Sequence, residues 1–191
     1  MIERTVIVRP VGHFLYGFHF RATRFGDIHP VVQLFQPLYV PRVHPPFGGM
    51  PEDHRSGALN LSSSDPGVGR KLIEALGGDM LDSLLRIDTP DKFLVWADHL
   101  GFSAEWPMFT HALAGRRSRA IHLAEERIAF FEWLGATDGT PRTANIQRLR
   151  RLICIFDSGQ ERTNRMLRTF ERINVRNNGI EPWWCWSPVV E

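Results

Sequence analysis

Cysteine is scarce in this chain, which has two in 191 residues. Cys154 lies within a helical pattern, and Cys185 follows 31 positions later within the tryptophan-rich segment WWCW. This spacing is typical neither of a disulfide framework nor of a zinc-binding set of cysteines. We therefore predict free thiols, no structural metal and a location in the reducing cytoplasm.

Long apolar runs are also missing. The N-terminal segment MIERTVIVRP carries charged side chains and a proline, and the best later run, VVQLFQPLYV, contains two glutamines and a proline. Neither segment has the uninterrupted apolar stretch of a signal peptide or of a membrane-spanning helix. We therefore predict that the protein has no membrane partner.

Charge of one sign does not dominate the chain. Its formal net charge is +2, and its basic residues are 21 arginines and only two lysines. A charge this small gives no support for strong long-range steering of a charged ligand. We attribute the excess of arginine over lysine to the codon bias of a GC-rich genome, which predicts a bacterial source.

No catalytic signature of recognised spacing is present. The patterns HExxH and GxSxG do not occur, and SSSDPGVGRKL fails as a phosphate loop because Leu72, not serine or threonine, follows Lys71. We accordingly predict no cofactor and no metal site, and leave open whether the protein is an enzyme. The weak candidates for acid–base chemistry are His54 and Asp53, in the loop PRVHPPFGGMPEDHRSG, and His19 and Arg21, on a strand.

The first 62 residues have the pattern of β-strands. HFLYGFHFRA and VVQLFQPLYV alternate in polarity, and RFGD supplies a turn at Gly26. A turn centred on Gly26 places His19 opposite Gln33. His19, Arg21 and Gln33 then form a polar patch on one face of the sheet, which is either a solvated surface or a surface for a ligand or partner.

The second half of the chain has the pattern of helices separated by short glycine-containing links. The predicted fold class is therefore α+β: an N-terminal antiparallel sheet of three or four strands packed on helices, followed by a C-terminal helical bundle. We predict an N-terminal α+β domain over residues 1–101 and a helical region over residues 102–191 that packs on the first as one unit.

The most regular feature is a series of arginines in the last predicted helix. At 100° per residue they form a stripe about 120° wide on one side of the helix. Such a stripe suits an acidic protein partner, nucleic acid phosphates, or a solvated face paired with the protein's own acidic residues. The predicted partner-binding residues are Arg162, Arg165, Arg168, Arg172 and Arg176, together with Gln33 of the sheet face.

Three hypotheses for function follow from these features. The favoured one is a non-enzymatic bacterial interaction protein, such as an adaptor, inhibitor or immunity-type partner, that acts through the polar sheet face or the arginine stripe. The second is a small hydrolase or transferase that uses His54 with Asp53, or His19 with Arg21. The third is a nucleic-acid-binding protein that uses the arginine stripe.

Overall fold

The structure is a computed structural model of the chain. It describes residues 2–11, 13–22, 27–41, 61–62, 65–67, 70–71, 74, 86–100, 105–135 and 140–184. Side-chain positions are described for a smaller set, which includes residues 13–15 and 37–41 and most of the residues from 86 onward. All structural statements below concern these residues.

Five helices follow one another in the second half of the chain, as the sequence pattern predicted. They are α1 (Pro90–Leu100), α2 (Glu105–Leu113), α3 (Arg117–Trp133), α4 (Pro141–Asp157) and α5 (Gln160–Asn177), and a 3₁₀ turn at Glu181–Trp183 comes after them. The link between α4 and α5 turns at Gly159, whose φ of 126° favours glycine. Within the described ranges, no helix is both long and apolar enough to cross a membrane.

The start of α4 has a side-chain cap. Thr140 has an extended backbone, and its Oγ1 accepts a hydrogen bond of 3.3 Å from the backbone N–H of Thr143. Pro141 takes the first helical position, where its missing N–H costs nothing. This combination fixes where α4 begins, and therefore which way its side chains face.

We expect Thr140→Ala to lower the free energy of unfolding by about 1 kcal/mol, because the N–H of Thr143 loses its acceptor. Thr140→Ser keeps the hydroxyl and should remain within a few tenths of a kcal/mol of the wild type. Urea denaturation followed by circular dichroism measures both. Equal losses in the two variants would show that the cap contributes nothing.

Four strands are described in the first 62 residues. The strands β1 (Ile2–Val11), β2 (Phe14–Ala22), β3 (Asp27–Pro37) and β4 (Leu61–Ser62) pair antiparallel in the order β1-β2-β3-β4. The predicted register is wrong by one residue, because His19 pairs with Val32 and Gln33 pairs with Phe18. An irregularity then shifts the register again, so that Arg21 pairs with His29.

The predicted α+β fold class is wrong. Fold class depends on which layers of secondary structure pack on one another. Packing is seen for the residues whose side-chain positions the structure describes. In that part of the chain, 74% of the residues are helical, in five helices, with one short strand and no sheet. Packing between helices therefore makes up most of the described core, and no sheet packed on helices is seen in that part of the chain.

The residues fall into two compact units by their contacts. The first unit comprises Met1–Leu38, Arg42–Asp88 and Val175–Cys185, and the second comprises Tyr39–Pro41, Thr89–Asn174 and Trp186–Glu191. We call the second one the helical unit. The predicted domain boundary after residue 101 stays a prediction.

The helical unit has an aromatic core. Phe109 of α2 is fully buried and contacts Phe156 of α4 and Phe170 of α5 edge-on, with ring centroids 6.3 and 5.9 Å apart. Such edge-to-face contacts add to the stabilisation that burial of the rings provides. This core therefore joins three helices of the unit.

The short segment Tyr39–Pro41 is held in the helical unit by buried hydrogen bonds. The Oη of Tyr39 lies 2.8 Å from the Oγ1 of Thr110, whose own hydroxyl donates to the carbonyl of Trp106 at 2.7 Å. Because Thr110 has one hydroxyl proton, Tyr39 is the donor to it. The Nδ2 of Asn174 donates to the carbonyl oxygen of Val40 at 2.7 Å.

In the first unit, a small apolar cluster includes Val175, in the last turn of α5. Leu15, Leu38, Val175 and Ile180 are buried together, and Trp184 packs against them. The backbone N–H of Leu38 donates to the carbonyl of His13 at 2.8 Å. Val175, in the last turn of α5, is thus buried against apolar side chains of this cluster.

Candidate functional site

The arginines of α5 lie on the side of the helix opposite its buried residues. Thr163, Leu167, Glu171 and Asn174 are buried and recur every three or four positions, which defines one face of a helix. The predicted stripe, Arg162, Arg165, Arg168, Arg172 and Arg176, is exposed along its whole length. From Arg162 to Arg172 the helix rises about 15 Å.

Two exposed arginines of α4 extend this basic surface. Arg150 and Arg151 lie in the third turn of α4 and line a groove together with Arg162 of α5. We call the following set the arginine face: Arg150 and Arg151 of α4 and Arg162, Arg165, Arg168 and Arg172 of α5. All six side chains are exposed.

Hydrogen bonds from side chains to helix ends position these two helices. Arg117, at the start of α3, donates to the carbonyl of Phe156 at 2.9 Å, near the end of α4. Gln160, at the start of α5, donates through Nε2 to the carbonyl of Ala112 at 3.0 Å. Both bonds reach carbonyls in the last turn of a helix, and the carbonyl of Ala112 also accepts from the backbone N–H of Gly115 at 3.3 Å. The α4–α5 hairpin is thus fixed to α2 and α3.

Three adjoining grooves run along the arginine face. The first has a volume of 430 Å³ and is lined by Arg150, Arg151, Cys154, Ile155 and Arg162. The second, of 400 Å³, shares Ile155 and Arg162 with the first and continues to Arg165 and Met166. The third, of 610 Å³, shares Arg165 with the second and continues to Arg168 and Arg172. Arginines line all three grooves, and Glu161 lines the second and the third.

Two arginines of the face already pair with carboxylates. Arg150 contacts Glu132 of α3 at 3.1 Å, and Arg165 contacts Glu161 one turn earlier at 2.8 Å. Exposed ion pairs of this kind contribute roughly 0–1 kcal/mol each. A carboxylate of a partner would consequently replace Glu132 or Glu161 at small cost.

Arg151 and Arg162 differ from these two. Both are exposed and line the first groove from neighbouring helices. Neither makes a hydrogen bond or ion pair with another residue that the structure describes. Two exposed guanidinium groups that line one groove, with no carboxylate partner among the described residues, are the strongest anion-binding feature of the site, because arginine presents several N–H donors in a planar arrangement.

The other predicted site residues lie elsewhere. His19 and Arg21 are in β2 and Gln33 is in β3, where the observed register does not place Gln33 opposite His19. His54 and Asp53 lie outside the described residues. The roles predicted for these five residues remain predictions, and the described residues that come together are those of the arginine face.

One histidine that the sequence did not single out has an unusual environment. His111 lies in the last turn of α2, and its Nδ1 is buried without a hydrogen-bond partner among the described atoms. Burial, followed by the positive charges of Arg116 and Arg119, lowers the pKa of this imidazole. The neutral form is therefore favoured, and His111 lines none of the three grooves.

Comparison with known proteins supplies no assignment: no family model, no curated protein and no solved structure matches this chain. Among the residues that the structure describes, no group of three or more His, Cys, Asp or Glu side chains is placed to hold a metal ion. The chemistry of the site is thus that of exposed guanidinium groups beside apolar grooves.

Proposed function

We propose that the protein is a non-enzymatic cytoplasmic interaction protein, an adaptor, inhibitor or immunity-type partner, that binds an acidic region of another protein through the arginine face. One observation carries this proposal. Arg151 and Arg162 are exposed on neighbouring helices, line one groove, and have no carboxylate partner among the described residues. Arginine is enriched at the residues that dominate binding energy in protein interfaces.

The pattern of charge favours a protein over nucleic acid as the partner. Glu132 and Glu161 stand among the arginines of the face, and the chain as a whole has a net charge of only +2. Phosphate backbones carry an unbroken series of negative charges, so interspersed carboxylates oppose their binding. A protein segment, in contrast, can have carboxylates opposite the arginines and uncharged residues opposite Glu132 and Glu161.

We expect the double substitution Arg151→Glu with Arg162→Glu to weaken binding of the partner by about 2 kcal/mol, or roughly thirty-fold. Each change removes an attraction and adds a repulsion. A matched control is Arg70→Glu with Arg119→Glu, which makes the same change in net charge at two exposed arginines that line none of the grooves. The control should bind almost as well as the wild type.

The measurement is a pull-down with the tagged protein from lysate of the source cells, with and without nuclease. A protein that survives nuclease treatment, is retained by the wild type and the control, and is lost with the double variant supports the proposal and identifies the partner. Recovery of nucleic acid, with co-purifying proteins lost on nuclease treatment, would favour a nucleic-acid-binding function. Equal recovery by the double variant would overturn the role of the arginine face.

A further inference from the structure

A row of side chains with little polarity lies on the exposed side of α5. Met166, Thr169 and Ile173 are three and four positions apart, and at 100° per residue they lie within about 60° of one another. Met166 is half-buried and Thr169 is exposed, while Ile173 is 48% exposed. The hydroxyl of Thr169 donates to the carbonyl oxygen of Arg165 at 2.9 Å, so the row has no unused side-chain donor. We call these three residues the apolar strip.

The apolar strip and the arginine face share one side of α5. Thr169 is four positions after Arg165 and three before Arg172, so it is a neighbour of both on the helix surface. Thr169 lines the second groove together with Met166 and Arg165, and the third groove together with Arg165 and Arg172. Ile173 continues the strip one turn further along the same side. The two grooves thus run where the strip meets the arginines.

Spacing along the helix axis indicates the conformation of a partner that fits both rows. Arg165, Arg168 and Arg172 rise by about 4.5 and 6 Å from one to the next, and the three residues of the apolar strip rise by the same two intervals. A partner helix that lies along α5 repeats its side chains at these intervals, so it can match both rows at once. Residues on one side of an extended segment repeat at about 6.6 Å and fall out of step with them.

We infer that the segment bound by the arginine face is an acidic amphipathic helix that lies along α5. Its apolar residues contact the apolar strip, and its carboxylates lie opposite Arg165, Arg168 and Arg172. The inference rests on the proposed function and specifies the structure of the partner segment. Charge complementarity selects this occupant, because arginines line both grooves that the strip adjoins. Amphipathic helices are commonly recognised through apolar residues at positions i, i+3, i+4 and i+7.

Two fluorescent peptides of about 14 residues and identical composition test the inference. The helical-register peptide has leucines at positions i, i+3 and i+7 with glutamates beside that row, and the alternating peptide has its leucines at every second position. Peptides of this length are marginal helices when free. Circular dichroism should therefore show a gain of helix when the helical-register peptide binds the wild-type protein.

Fluorescence anisotropy at about 0.15 M ionic strength, where exposed charges more than about 8 Å apart are largely screened, measures both affinities. We expect the helical-register peptide to bind the wild-type protein about fivefold more tightly than the alternating peptide. The reason is that it covers the exposed part of Ile173 in addition to pairing with the arginines.

Ile173→Ser should remove this preference, weakening the helical-register peptide about fivefold and leaving the alternating peptide unchanged. Val95→Ser is the control, because Val95 is also an exposed β-branched apolar residue but lies on α1. The expected result for Val95→Ser is wild-type binding of both peptides. Circular dichroism of each variant alone confirms that it is folded.

The outcomes separate this inference from the proposed function. Equal affinity of the two peptides for the wild type, no gain of helix on binding, or no effect of Ile173→Ser would overturn the inference alone. Failure of both peptides to bind would also overturn it, while the pull-down with Arg151→Glu and Arg162→Glu decides the proposed function separately. A wild-type dimer that Ile173→Ser dissociates would show that a second copy of the chain covers the strip, which again overturns the inference.

Discussion

Phe109→Ala should lower the free energy of unfolding by about 3–5 kcal/mol, the range measured when a buried phenylalanine is truncated. Phe109 is fully buried, and its ring contacts Phe156 and Phe170 edge-on. Its loss removes contacts of α2 with both α4 and α5 and leaves a cavity among three helices. Urea denaturation followed by circular dichroism measures the change.

Phe130→Ala is the matched control for this prediction. It makes the same chemical change at a phenylalanine that is 42% exposed, at the edge of the helical unit. Because less apolar surface is buried there and solvent can fill the space, the expected loss is below about 1.5 kcal/mol. A similar loss in both variants would show that the ring contacts of Phe109 do not form the core of this unit.

The helices were predictable from the sequence because their ends carry local signals. Thr140 with Pro141 marks the start of α4, and Gly115 and Gly135 lie just beyond the ends of α2 and α3 with positive φ angles of 76° and 73°. Capping and helix termination depend on a few neighbouring residues. A single sequence therefore contains all that is needed to place these boundaries.

The strand register was not predictable in the same way. Alternation of apolar and polar residues indicates a strand, but it does not determine the register of pairing. The register also depends on the turn and on irregularities in the pairing. Pairing of β2 with β3 changes register between His19 and Arg21, and pairing of β1 with β2 changes it between Ile7 and Arg9. A turn placed at Gly26 by composition alone could not reveal either shift.

The predicted fold class failed for a related reason. Because apolar and polar residues alternate in the first 62 positions, we predicted a sheet that packs on the helices. Periodicity alone, however, does not show which elements form the core. Among the largest fully buried side chains, Phe93, Met108, Phe109, Leu149 and Phe156 come from helices, whereas Phe14 and Leu15 come from β2 and Leu38 and Tyr39 from the segment that follows β3. Packing between helices distant in sequence, and not local pattern, determines this core.

The candidate site was predictable only in part. The spacing of arginines in α5 correctly indicated an exposed face, but its buried face is obscured because Thr163, Glu171 and Asn174 are polar. The groove between Arg151 and Arg162 brings together residues from two helices. This juxtaposition depends on how α4 packs against α5, and the periodicity of a single segment does not predict that packing.

Asn174→Ala should lower the free energy of unfolding by about 2–3 kcal/mol. The Nδ2 of Asn174 donates to the carbonyl oxygen of Val40 at 2.7 Å, and both residues are almost completely buried. The alanine variant leaves that carbonyl without this donor in an apolar environment, which costs more than an average exposed hydrogen bond. The measurement is again urea denaturation.

Two further variants identify the cause of the loss. Asn177→Ala makes the same substitution at an exposed asparagine at the end of α5 and should change stability by less than about 0.5 kcal/mol. Asn174→Leu restores most of the side-chain volume but not the donor, so it should remain destabilised if the hydrogen bond matters. Recovery of wild-type stability by Asn174→Leu would instead show that Asn174 contributes by filling space, because the unpaired carbonyl of Val40 would then cost nothing.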